Sequence, residues 1–96
     1  MNLFFRSWDT NNIPVLLGVL RIIARLDYQE VIPEGRAMAS MAVSHKDTEV
    51  QECGVRAFES WGTVECLMDL ETVKVSTKWL QEYIDEVVLD LRKDVG

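Results

Sequence analysis

The residues able to do chemistry in this chain are few. It has one histidine, His45, and two cysteines, Cys53 and Cys66. The cysteine spacing matches no metal-ligand pattern, and a lone imidazole does not complete a tetrahedral zinc site with two thiols. Carboxylates are plentiful, yet none has a sequence-specified partner for acid–base work. There is no glycine-rich phosphate loop and no nucleophile elbow. The expectation is a chain that is not an enzyme and needs no cofactor and no metal. What remains is recognition by charge. Arg21 and Arg25 stand one helical turn apart, and Glu52 and Arg56 are spaced to pair with each other. Glu82, Asp85, Glu86 and Asp90 crowd one region with only Lys78 nearby. Like charges at i, i+4 cost an isolated helix a few tenths of a kcal/mol each, roughly, which hints at use.

The charge is unevenly distributed. The net charge is −6, yet residues 1–45 hold four acids and four bases, so residues 46–96 carry the whole deficit with twelve acids and six bases. Such a surface repels phosphate backbones and anionic membranes and attracts a basic protein. The bland alternative is that the acids keep a small protein soluble. Apolar content of 48% with 27% charged residues in 96 residues is the composition of one folded domain, 1–96. The start, Met1 to Asp9, lacks a basic region and its apolar run ends after three residues, so it does not read as a secretory signal. The longest apolar stretch, Ile13 to Ile23, is broken by Pro14, Gly18 and Arg21 and is too short to span a bilayer. A cytoplasmic location follows as the expectation. There Cys53 and Cys66 would be small buried thiols, with a disulfide between adjacent helices as the alternative.

These groups must be positioned by helices. The clearest runs from Asp47 to Gly62. Asp47 suits an N-cap, Val50, Cys53, Gly54, Ala57, Phe58 and Trp61 form one apolar stripe, and Gly62 stands where a left-handed stop belongs. Residues 13–26 read as a helix capped by Asn12, with Pro14 in its first turn. Its stripe of Ile13, Leu16, Leu17, Leu20, Ile23 and Ala24 is flanked by Val15, Val19, Ile22 and Leu26, so burial on most sides at the centre of the fold is expected. Asp27 and Glu30 fit a capping box for a helix reaching about Ser44, kinked or delayed by Pro33. Its small residues Gly35, Ala37, Ala39, Ser40 and Ala42 invite close approach, and Met38 and Met41 fill gaps. His45 and Lys46 follow, where positive charge suits a helix C-terminus. Thr63 caps a short helix to Glu71 carrying Val64, Leu67, Met68 and Leu70. Residues 72–75 read as a loop, and Ser76 caps a last helix with the stripe Leu80, Tyr83, Ile84, Val87, Val88, Leu91. Val75 and Leu80 would staple its start. Leu3, Phe4, Phe5 and Trp8 would form a short helix or an apolar arm.

The order of residues around Asp47 resembles a HEAT repeat, a family of stacked helix pairs. There a turn Asp is followed three residues later by Val and then by small and large apolar positions. The resemblance implies an all-α fold, a short α-α superhelix of about three antiparallel helix pairs. Residues 28–44 would be the outer and 47–61 the inner helix of one repeat. Residues 63–71 and 77–93 would be the next pair, and 2–8 with 13–26 an abbreviated first. Gln51 replaces the family's usual Arg and weakens its Asp–Arg ladder, while Gly54 replaces its usual Ala and permits closer packing. A plain five-helix bundle is the structural rival.

Inner helices in that family line a concave face used for proteins. Here the resemblance places Arg21, Arg25, Glu52, Arg56, Glu59, Glu82, Glu86 and Asp90 there. The leading expectation is a non-enzymatic protein-binding module whose acidic face docks a basic partner. Its most concrete form is an immunity or antitoxin-type inhibitor of a toxin nuclease, because opposite fields speed encounter. The alternative is a structural subunit or fragment of a larger HEAT scaffold, or a homo-oligomer. A basic concave face, as helical-repeat DNA binders carry, is not expected.

Overall fold

The computed structural model describes residues 12–95, and the expected aromatic arm at Leu3 to Trp8 lies outside them. The described residues form six helices and no strand: α1 (Ile13–Ala24), α2 (Tyr28–Val31), α3 (Glu34–Ala42), α4 (Thr48–Trp61), α5 (Val64–Glu71) and α6 (Lys78–Val95). The all-α expectation holds, and 72–77 is a loop.

α4 is the element on which the others pack. Asp47 caps it with one carboxylate oxygen, accepting from Glu49 N at 2.9 Å and Val50 N at 3.1 Å. Gly62 ends it at φ 61°, a left-handed conformation that a Cβ would strain. Its apolar surface is wider than the single stripe suggests, because Val55 is fully buried beside Val50, Cys53, Ala57 and Phe58. One side, with Val50 and Cys53, joins α1 and Met38 and Ala42 of α3. The other, with Val55, Ala57 and Phe58, joins Cys66, Leu67 and Leu70 of α5 and the α6 stripe of Leu80, Ile84, Val87, Val88 and Leu91. Trp61 packs against both clusters, with edge-on contacts to Tyr28 and Phe58. Each fully buried large side chain contributes about 1.5–3 kcal/mol.

Two directions are fixed by contacts. At the last turn of α4, Ser60 Oγ donates to Ala24 O at 2.7 Å, and Trp61 Nε1 donates to Ile23 O and Leu26 O. These bonds satisfy carbonyls that the end of α1 leaves open, so α1 and α4 lie side by side with their C-terminal ends together. α3 runs the other way: Gly54 of α4 faces Ala39, Ala42 and Val43, while Gly35 faces Trp61. On the far side of the molecule, Arg36 of α3 donates through Nε (2.7 Å) and Nη2 (3.0 Å) to both carboxylate oxygens of Asp69 in α5. That bond holds the guanidinium pKa well above its usual value.

Several expectations need correction. The helix over 28–44 is two helices broken at Ile32 and Pro33, joined by a cis peptide bond; proline cannot donate to the helical ladder. Asp27 precedes α2 without a side-chain cap bond, so the capping box does not form. α1 is not the centre of the fold, since it packs mainly on one side, and Ile22 is 63% exposed and Leu26 exposed beyond its end. In α5, Val64 and Met68 are exposed while Cys66 takes the buried position. The last helix starts one residue late, with Thr77 O accepting from Gln81 N. Its entry is secured by Val75 N donating to Gln81 Oε1 at 2.9 Å rather than by Ser76.

A Cβ at Gly54 would lie 2.9 Å from the Ala42 Cβ and 3.0 Å from the Ala39 carbonyl oxygen, whereas one at Gly18 meets nothing within 4 Å. Gly54→Ala should destabilise the protein by about 1–2 kcal/mol, overpacking outweighing the gain in helix propensity. Gly18→Ala should stabilise it by about 0.5–1 kcal/mol. Urea denaturation of the two variants checks the pair of signs.

Candidate functional site

Between α1 and α4 runs an open groove of about 500 Å³. Arg21 lines it from α1, Arg25 from the C-cap of that helix, and Glu52, Arg56 and Glu59 from α4, over a floor of Leu20, Ala24 and Cys53. The bonds of Ser60 and Trp61 to the end of α1 set the spacing of the two walls. Both groove carboxylates are engaged. Glu52 accepts from Arg56 Nη2 at 3.1 Å, the i, i+4 pair expected from the sequence, and this raises the Arg56 pKa. Glu59 accepts from the Tyr83 hydroxyl of α6 at 2.6 Å. Burial and then that carboxylate push the Tyr83 phenol well above its usual range. Arg21 and Arg25 take part in no ion pair among the described residues. Arg21 faces the Cys53 thiol, whose pKa is raised by burial against the opposing pull of that guanidinium.

Of the expected binding residues, the structure therefore brings Arg21, Arg25, Glu52 and Glu59 together. It does not bring Glu82, Glu86 and Asp90 into the groove lining. These three are exposed along α6, at i, i+4 and i+8, and none is ion-paired among the described residues. Trp79 and Leu89 stand exposed on the same side of that helix, at 52% and 55%. One acidic inner face was the expectation, but the charges divide. The groove holds three guanidiniums against two carboxylates, and the acids gather on the outer side of α6, away from the buried stripe that packs α6 on α4.

A second hollow, of about 610 Å³, is lined by Ser40, Ser44, Gln51, Asp69, Lys74 and Ser76 together with apolar side chains of Val43, Phe58, Val73 and Val75. Asp69 is already held by Arg36. Cys53 and Cys66 are free and belong to different core clusters, and burial raises both thiol pKa values, so neither is poised as a nucleophile. Among the described residues no group of three or more His, Cys, Asp or Glu side chains is arranged for a metal ion. No helix among them is long and apolar enough to cross a membrane. The Arg36–Asp69 fork, the Tyr83–Glu59 bond and the ties from Ser60 and Trp61 were invisible to spacing rules, because each joins residues 24 to 38 positions apart. Only Tyr83 and Trp61, polar-tipped residues inside apolar stripes, carried a signal.

A phenol whose folded pKa lies above its unfolded value favours folding fully below about pH 10, and that contribution is lost as pH rises further. Tyr83→Phe should cost about 0.5–1 kcal/mol at pH 7, the low end because Glu59 is exposed. Its stability should then fall less steeply than the parent's between about pH 10 and 12. Denaturant midpoints across that range check both parts. No family model, curated protein or solved structure matches the chain.

Proposed function

We propose that this chain is a HEAT-like protein-binding module, without catalysis, that docks a basic partner on its acidic side. The stacked reading is supported by which helices meet. α1, α4 and α6 act as successive inner helices, the first two with their C-terminal ends together. α3 and α5 act as outer helices, linked by the Arg36–Asp69 fork where the family's ladder would otherwise rely on an Arg at position 51. α1 and α6 each pack on α4 and not extensively on one another, which a closed five-helix bundle would require.

The observation that carries the functional reading is the outer side of α6. Glu82, Glu86 and Asp90 stand there without an ion pair among the described residues, beside the exposed Trp79 and Leu89. Unneutralised acids raise the encounter rate with a basic protein, and exposed apolar side chains supply contact area once it docks. A toxin nuclease held by an immunity or antitoxin-type inhibitor is the most concrete partner of that chemistry, in the cytoplasm, where two free thiols stay reduced. Affinity capture from the source cells at low and high salt, with the parent and with the Glu82→Lys/Glu86→Lys/Asp90→Lys variant, tests this. A basic protein should be retained by the parent, released by salt and lost with the triple variant. Identical retention by both proteins would reject the reading.

A second reading, a subunit of a longer solenoid or of a homo-oligomer, is favoured by the exposed Ile22 on α1 and Leu26 just past its end. Light scattering at high concentration tests it: a mass of 11.0 kDa excludes the oligomer.

A further inference from the structure

The geometry points to the α1–α4 groove as a site for an acidic peptide segment of a protein partner, gripped by Arg21 and Arg25. This stands apart from the use of α6, and it concerns charge of the opposite sign. In a chain of net charge −6, this groove holds an excess of guanidinium. Of its two carboxylates, Glu52 is paired with Arg56, while Glu59 keeps its charge and is turned toward the Tyr83 hydroxyl, so Arg21 and Arg25 leave the groove one positive charge in excess. The guanidiniums of Arg21 and Arg25 have no carboxylate among the described residues. Arg21 lies in the last turn of α1 and Arg25 is its C-cap, still in the right-handed helical conformation, so the two stand a turn apart, a spacing that matches two carboxylates a turn apart on a docked helical segment. Guanidinium forks bind carboxylates through paired hydrogen bonds, which a flexible ammonium would not do as well.

The rest of the groove suits side chains rather than a free ion. Its floor is apolar and small, formed by Leu20, Ala24 and Cys53, and offers a bed for the aliphatic stem of a glutamate. About 500 Å³ open along one side is room for a few side chains of a strand or helix lying over it. The walls are pre-set, because Ser60 and Trp61 fasten α4 to the end of α1, so docking need not order them.

The test is a ¹H–¹⁵N NMR titration of the whole protein with three probes. One is a blocked helical peptide with two Glu four residues apart and a Leu between them. The others are its twin with Gln for Glu, and inorganic phosphate alone. The Glu peptide should shift the Arg21 and Arg25 side-chain signals and the Cys53 amide saturably. The Gln twin, or Arg21→Gln/Arg25→Gln in the protein, should weaken binding about tenfold or more. Arg92→Gln, whose guanidinium pairs with Glu71 elsewhere, should leave it unchanged. The Lys-substituted α6 variant should also keep the peptide, so that failure here and failure of the α6 reading are separable. Absence of saturable shifts with the Glu peptide overturns the proposal. So does equal binding by the Gln twin or by the double Arg variant. Phosphate producing the same shifts at the same concentration would also overturn it, reducing the groove to a simple anion site.

Discussion

Everything in this small molecule depends on α4 being apolar over more than half its circumference. Most surface helices bury one stripe; this one buries two adjoining faces against different neighbours. Val50 and Cys53 close the cluster shared with α1, and Val55, Ala57 and Phe58 close the one shared with α5 and α6. Gly54, between them, lets α3 approach to a distance at which even a methyl group would collide. A 96-residue chain has a thin core. Using one helix as a wall common to two clusters lets both share its buried surface. Trp61 extends the same device, touching both clusters while its indole N–H satisfies carbonyls at the end of α1.

The polar bonds at the margins orient helices more than they stabilise them. The Arg36–Asp69 fork spans α3 and α5 with side chains 40% and 25% exposed, so its Coulomb energy is screened while its bidentate geometry fixes relative placement. Arg92 of α6 reaches Glu71 of α5 more loosely, with Nε and Nη2 both donating to one carboxylate oxygen, at 3.1 and 2.7 Å. Arg36 and Arg92 are engaged in these pairs, and no ion pair joins Glu82, Glu86 or Asp90 to a cation among the described residues.

Local signals in the sequence described the helices well. Asp47, Thr63 and Asn12 cap as their chemistry predicts, Gly62 takes the left-handed stop, and the α6 stripe is buried except for the half-buried Tyr83. The Glu52–Arg56 pair was legible for the same reason, being four residues apart. What local spacing could not supply was which side of an apolar helix finds a neighbour. Ile22, Val64 and Met68 look like core residues by period and are exposed, because no described element covers those sides. Val55 falls outside the expected stripe and is fully buried, because α5 and α6 come round to it. The same limit applied to the site. Arg21, Arg25, Glu52 and Glu59 line one groove, whereas Glu82, Glu86 and Asp90 lie outside it, a split that depends on long-range packing.

Native-state hydrogen exchange bears most directly on α4 as the shared wall. The account predicts that the amides of Val50 to Phe58 exchange slowest, by global unfolding only. Those of α1 and of α6 should merge with them at the same or lower denaturant. An α4 that exchanges faster than either flank, or an α5–α6 unit that stays protected after α4 has opened, would contradict it.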